Sequence, residues 1–191
     1  MMSTKSIMIV GVGGQGTLLA SRILGNLAIE KGYDVKVSEV HGMSQRGGSV
    51  VTYVKYGEKV HSPVICQGEA DIIISFEELE ALRWLPYLKK GGKLITNVQQ
   101  IMPMPVIIGA AEYPRDILDT LKKEEVDLVS VNALEIAESI LNSKVTNVVL
   151  LGVLAKYLEF DKQDWVDAVL STVPEKFREA NEKAFLAGYE Q

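Results

Sequence analysis

The chain has 191 residues, of which 47% are hydrophobic and 24% charged, and its 20 Lys and Arg against 25 Asp and Glu leave a formal charge of -5. This is the composition and size of one globular domain spanning residues 1–191, with no linker-like or disordered stretch. An acidic balance without a Lys/Arg stripe and interleaved aromatics excludes nucleic acid as a partner, and the longest apolar run, Val148 to Ala155, is far short of the roughly 18 to 20 residues of a membrane span.

Cys66 is the single cysteine, so the chain can form neither a disulfide framework nor a four-thiolate iron–sulfur cluster of its own. The apolar run Ile7 to Val10 ends at once in Gly11, which does not read as a secretory leader. A cytoplasmic protein is expected.

Ser6 to Val10 predicts a buried strand, and Leu19, Ile23, Leu24, Leu27 and Ala28 recur at helical spacing before Gly32. Tyr33 to Val40 alternates as a second strand and completes a βαβ unit with the first. HGMSQRGG, His41 to Gly48, is too polar and glycine-rich for a regular element; Ser49 to Tyr56 and Lys59 to Ile65 then flank Gly57-Glu58 as a β-hairpin. Asp71 to Ser75 predicts a strand, Glu77 to Lys90 a helix halted by Gly91-Gly92, and Lys93 to Asn97 a further strand.

MPMP, Met102 to Pro105, breaks regular structure, with a short strand at Val106 to Ile108 and a helix around Asp116 to Lys123. Val126 to Val131 is the last predicted strand, followed by helices at Ala133 to Leu141, Val145 to Leu158, Asp164 to Thr172 and from Pro174. Val145 to Leu158 is apolar nearly all round, which a helix with a solvated face would not tolerate, so it must be covered by the sheet or by a partner. The plan is α/β: a Rossmann-like doubly wound, mostly parallel sheet with an inserted β-hairpin and a helical C-terminal third.

Gly11-Val12-Gly13-Gly14-Gln15-Gly16 fits G-x-G-x-x-G between a strand and a helix, the context that the phosphate-binding fingerprint requires. Gly11 would permit the turn, Gly13 the approach of a pyrophosphate and Gly16 close helix–strand packing, while Gln15 and Thr17 could add donors. Thr17 stands where a nucleoside-triphosphatase loop needs lysine, so ATP hydrolysis is not indicated. Glu39, 23 residues after Gly16, lies slightly beyond the spacing of about 20 expected of an acid that binds the NAD ribose; it reads equally as a solvated strand end.

Ser44-Gln45-Arg46-Gly47-Gly48 places an always-charged fork between a polar pair and two glycines with exposed amides, which suits a second phosphate. Open α/β sheets bind ligands at the carboxyl ends of their strands, where Gly11, Glu39, Ser75 and Asn97 should converge. No Ser/His/Asp, HExxH or paired-carboxylate spacing accompanies His41, so it reads as structural, and no catalytic or metal-binding residue is assigned.

Taken together, GVGGQGTLLAS (Gly11 to Ser21), HGMSQRGGSV (His41 to Val50), HSPVI (His61 to Ile65) and TNVVLLGVL (Thr146 to Leu154) resemble the gamma-type domain of 2-oxoacid:ferredoxin oxidoreductases, most like the beta subunit of the indolepyruvate enzymes. The resemblance implies a subunit of a complex that oxidatively decarboxylates an aryl 2-oxoacid to an acyl-coenzyme A and passes electrons to ferredoxin. It also implies that thiamine diphosphate, magnesium and the iron–sulfur clusters belong to a larger partner subunit. This chain would contribute coenzyme A contacts, carried onto Gly13, Gly14, Gln15, Gly16 and Arg46, and subunit assembly. Two other readings stay open: a free-standing NAD(P)-dependent oxidoreductase domain, and a purely structural subunit with the apolar helix as its interface.

Overall fold

Ile7, Met8, Ile9 and Val10 are fully buried, and a strand with no solvated face belongs inside a sheet covered on both sides. The computed structural model, which describes residues 4–39, 43–124, 126–140 and 143–191, places them so. Strand β1 (Lys5–Val12) leads through the glycine turn into helix α1 (Thr17–Glu30) and strand β2 (Asp34–Glu39), followed by β3 (Ser49–Gly57) and β4 (Ala70–Ser75). The six-stranded sheet has the order β2-β3-β1-β4-β5-β6, completed by β5 (Leu88–Asn97) and β6 (Asp127–Val131). Only β3 is antiparallel to its neighbours; β1, β4, β5 and β6 pair in parallel.

β2 does run parallel to β1, but β3 lies between them, antiparallel to both. The predicted hairpin is thereby corrected: the antiparallel pair is β2–β3, and Lys59 to Ile65 forms no strand. Both edges of β3 are already taken, and Pro63 has no N–H for a ladder. That segment is instead pinned by Val60 N–H donating to Asp34 Oδ2 at 2.8 Å and by Lys55 Nζ donating to the Val64 carbonyl at 3.0 Å.

Helix α2 (Glu78–Trp84) is shorter than predicted, because Pro86 converts its continuation into a 3₁₀ turn, Leu85–Tyr87, and β5 starts at Leu88. Gly91 and Gly92 therefore lie in the irregular opening of β5, where the register with β4 shifts between Ala70 and Ile72. The predicted strand at Val106 to Ile108 is a helical turn, α3 (Met104–Ile107), since prolines fit a first helical turn but interrupt a ladder. Helix α4 (Ile117–Lys123) follows it.

The C-terminal helices α5 (Ala133–Ser139), α6 (Thr146–Ala155), α7 (Lys162–Thr172) and α8 (Arg178–Tyr189) sit where the periodicity put them. With α1 they cover one sheet face around a core that includes Ile9, Leu24, Leu150, Trp165 and Phe185; α2 and α4 cover the other, around Met8, Ile73, Leu94 and Leu121. The sheet is thus doubly wound. Helix α6 is buried from Asn147 to Ala155 and enclosed by its own chain, with roughly 1.5–3 kcal/mol of favourable burial for each Val or Leu. Its closest approach is to α8, where a Cβ on Gly152 would lie 2.1 Å from the Phe185 carbonyl and one on Gly188 1.9 Å from that of Val149. An outside partner is not what covers α6.

Candidate functional site

Gly14 (φ 102°) and Gly16 (φ 83°) adopt left-handed backbone, which turns the chain sharply from β1 into α1. The turn is braced from within. Val12 N–H donates to Gln15 Oε1 at 2.7 Å, and Gln15 Nε2 donates to the Phe76 carbonyl at 2.9 Å and to Gln99 Oε1 at 3.2 Å. The Gln15 amide thus ties the ends of β1, β4 and β5 together. Gly11 makes room for it, since a Cβ there would stand 2.8 Å from Gln15 Oε1 and 3.0 Å from Phe76 Cβ. Thr17 is buried at the start of α1.

Gly13 leaves space for the protein itself. A Cβ there would meet the Ser44 carbonyl oxygen at 2.3 Å and the Gln45 carbonyl carbon at 2.4 Å, and Gly13 N–H donates to the Gly48 carbonyl at 2.9 Å. The second loop is seated on the first through a 3₁₀ turn, Met43–Gln45, closed by Arg46 N–H to Met43 O and Gly48 N–H to Ser44 O, both 2.9 Å. Gly16 is likewise matched to a neighbour, Asn147, whose Nδ2 donates to the Gly16 carbonyl at 3.2 Å. Helix–helix contact, not helix–strand packing, demands that glycine.

The two loops open on different spaces, which corrects the expectation that they share one crevice. Arg46, Gly47 and Gly48 border a cleft of about 700 Å³ beside α2 and α3. Gly14 and Gln15 border another of about 290 Å³, completed by Phe76, Gln99, Leu134, Lys144, Thr146 and Asn147. Once the Ser44–Gln45 backbone fills the space beside Gly13, Arg46 is carried to the far cleft.

Glu39 and Asn97 do not join either. Glu39 accepts from Ser21 Oγ at 3.2 Å and borders a hollow between α1 and β2, one strand further from the glycine turn because β3 intervenes. Asn97 is fully buried: its Nδ2 donates to the Phe76 carbonyl at 3.2 Å and its Oδ1 accepts from Ala133 N–H at 3.0 Å, which holds the start of α5. Ser75 donates to the Glu77 carbonyl at 2.6 Å. The carboxyl-end convergence therefore reduces to the glycine turn, Phe76 and Gln99. His41 lies outside the described residues.

The smaller crevice has the makings of an anion site at its Gly14 corner. A Cβ on Gly14 would meet nothing within 4 Å, so its backbone is open to a ligand. Helices α1 and α6 begin at the crevice, and like α3, α4, α7 and α8 they lack a side-chain cap; only α2, capped by Glu77, and α5, capped by Asn132, have one among the described residues. The start of α1 presents N–H groups and the positive dipole end, and Lys144 adds a full charge, whereas at the start of α6 the Val148 N–H already donates to Asn147 Oδ1 at 3.0 Å. Lys144 and Thr146 were not singled out in the sequence because they sit 128 or more residues from Gly16; their signal is position, at the entry to the nearly all-apolar helix α6.

A second feature missed in the sequence is a set of buried acids on α2. Glu77 caps Glu80 N–H at 2.9 Å and also accepts from Ile101 N–H at 3.1 Å and from the Tyr113 hydroxyl. Glu80 accepts from Arg83 Nε and Trp84 Nε1, each at 3.1 Å, and from Ser49. These bonds satisfy the carboxylates and fasten the 101–113 segment to α2. Burial, reinforced by the bond to Glu77, holds the Tyr113 hydroxyl well above the ordinary phenol range. Among the described residues, no group of three His, Cys, Asp or Glu could hold a metal ion, and no helix is long and apolar enough to cross a membrane.

Fold and site together define a doubly wound α/β chain with a glycine-bordered crevice at the carboxyl ends of its parallel strands. A family model described as pyruvate ferredoxin/flavodoxin oxidoreductase matches residues 6–191, and the chain belongs to that family. It is 43% identical to indolepyruvate oxidoreductase subunit IorB of Thermococcus kodakarensis, over 98% of this chain and 95% of that one. The keto/oxoacid ferredoxin oxidoreductase gamma subunit from Geobacter sulfurreducens PCA has the same fold, with TM-score 0.72, 26% identity and 97% and 96% of the two chains covered. A 2-oxoglutarate:ferredoxin oxidoreductase from Magnetococcus marinus contains the fold as 31% of a longer chain, with TM-score 0.74, 16% identity and all of this chain covered.

Proposed function

We propose that the chain is the non-thiamine subunit of an indolepyruvate or aryl-pyruvate:ferredoxin oxidoreductase, and that its Gly14–Lys144–Thr146 crevice holds phosphates of coenzyme A. The reaction assigned is oxidative decarboxylation of the 2-oxoacid to an acyl-coenzyme A with electrons delivered to ferredoxin. The observation that carries the choice of 2-oxoacid is the 43% identity, over nearly full length, to a subunit named for indolepyruvate. Thiamine diphosphate, magnesium and the iron–sulfur clusters are assigned to a larger partner subunit, in keeping with the single cysteine here.

The crevice supports the coenzyme A reading by size and charge. Its 290 Å³ suits a pyrophosphate, not a whole cofactor, so the remainder of the ligand would extend towards the partner. Open backbone at Gly14, the start of α1 and an ammonium supply charge-assisted hydrogen bonds to such a group. An NAD(P) site finds less support, because β3 separates Glu39 from the glycine turn. A purely structural role loses its proposed interface, because α6 is enclosed by its own chain. Calorimetric titration of the isolated chain with coenzyme A, NADH and NADPH tests the choice: heat with coenzyme A alone is expected, and saturable heat with NADH or NADPH but not coenzyme A overturns it.

A further inference from the structure

We infer that Gln99 is a ligand-contacting residue of the smaller crevice, its side-chain amide held with the N–H end towards a phosphate oxygen, and that Gln15 is the positioning residue that aims it. This rests on the coenzyme A reading proposed above and adds a named donor to that site.

The orientation starts from a backbone group that has no choice. Val12 N–H can only donate, so the atom it meets at 2.7 Å is Gln15 Oε1 and the other end of that amide is Nε2. Both hydrogens of Gln15 Nε2 are then spent, on the Phe76 carbonyl at 2.9 Å and on Gln99 at 3.2 Å, where the receiving atom must be Oε1. Asn97 repeats the pattern: its Oδ1 is fixed by Ala133 N–H, and its Nδ2 donates to the same Phe76 carbonyl at 3.2 Å and to the same Gln99 Oε1 at 3.4 Å. Two locked amides thus converge on one oxygen, and Gln99 cannot turn over without setting its NH₂ against two others.

Gln99 borders the crevice and is half-buried. Its Nε2 donates to no described protein atom, nor is it sealed from solvent, since Trp165 Nε1 is the one buried side-chain polar atom without a partner among the described residues. The acceptors around it are taken: the Phe76 carbonyl receives two N–H groups, the Gly16 carbonyl receives Asn147 Nδ2 at 3.2 Å, and Asn147 Oδ1 receives Val148 N–H at 3.0 Å. No acid is among the described residues that border the crevice, whereas Lys144 is. What the chain leaves unspent is a donor beside an ammonium, which selects an anionic group that only accepts, as a phosphate does. The donor role expected of Gln15 passes to the residue that Gln15 orients.

Gln99→Glu keeps an oxygen for both internal bonds but turns a carboxylate oxygen on the phosphate. Calorimetric titration of the full chain should show the Kd for coenzyme A raised at least about tenfold, with circular dichroism confirming an unchanged fold. The wild-type chain gives an independent reading by NMR. The side-chain NH₂ resonance of Gln99, identified by its absence from the spectrum of the variant, should shift on addition of coenzyme A, while that of Gln100, already bonded to Glu78 at 2.8 Å, stays still. Coenzyme A binding weakened by Lys144→Ala but not by Gln99→Glu, with the Gln99 resonance unmoved, overturns the inference while the coenzyme A reading stands. A raised Kd in Gln99→Glu with an unmoved wild-type resonance marks an indirect effect and also overturns it. A wild-type chain that does not bind coenzyme A overturns the reading and the inference with it.

Discussion

Replacing Gly188 with alanine should lower the melting temperature by roughly 4–8 °C, equivalent to about 2 kcal/mol for a chain of this size. Two effects oppose each other. Alanine gains at most about 1 kcal/mol of helix propensity over glycine, the value for a helix interior, and Gly188 is the second-last residue of α8. Against this, its Cβ would sit 1.9 Å from the Val149 carbonyl oxygen and 2.7 Å from the carbonyl carbon, both backbone atoms of a buried helix that has no rotamer with which to yield. Relief requires α6 and α8 to separate along their contact, which costs about 3 kcal/mol, the upper end for overpacking. Gly152→Ala should behave alike, with the Phe185 carbonyl at 2.1 Å, and the double variant should lose less than the sum, because one separation accommodates both methyl groups. Gly25 in α1 provides the contrast: its nearest neighbours would be Val37 and Val35 methyl groups at 3.7 and 3.9 Å. Gly25→Ala should therefore be neutral or stabilising, and thermal unfolding of the three single variants and the double variant checks the ranking.

Replacing Gly13 with alanine should unseat the second loop without unfolding the domain. The methyl group would collide with the Ser44 and Gln45 backbone, and the loop must retreat and surrender the Gly13–Gly48 hydrogen bond. Losing a bond of this kind and its packing amounts to about 1.4 kcal/mol of local opening, or about a tenfold rise in the open population. Tryptic cleavage after Arg46 reports it directly. The rate should rise about tenfold in Gly13→Ala while the melting temperature falls by only a few degrees, and an unchanged cleavage rate would contradict the interlock.

Local signals were legible in the sequence and long-range ones were not. The strand at Ile7 to Val10, the glycine turn and the helices from Ala133 onward follow from periodicity and glycine placement within about fifteen residues. The hairpin failed because Lys59 to Ile65 competes with β2 for the same edge of β3, and only the sheet order decides that contest. The helix expected to reach Lys90 ends early at Pro86, a breaker that outweighs the flanking amphipathic pattern. In the candidate site, Gly14 entered only through the family resemblance, and its open backbone is seen only in the fold. Gly13 and Gly16 carry the fingerprint for internal reasons, the approach of Ser44 and Asn147, which no spacing reveals. Lys144 and Thr146 reach the crevice only because α6 is threaded past α1, and the family resemblance through TNVVLLGVL pointed to that stretch without giving its position.

The crevice as a coenzyme A phosphate site is tested most directly by the steady-state kinetics of the assembled complex carrying Lys144→Ala. Loss of one charge-assisted phosphate contact, about 1.4–3 kcal/mol, predicts a KM for coenzyme A raised at least tenfold, with the KM for the 2-oxoacid and the subunit stoichiometry unchanged. A KM for coenzyme A equal to that of the wild-type complex would contradict the account.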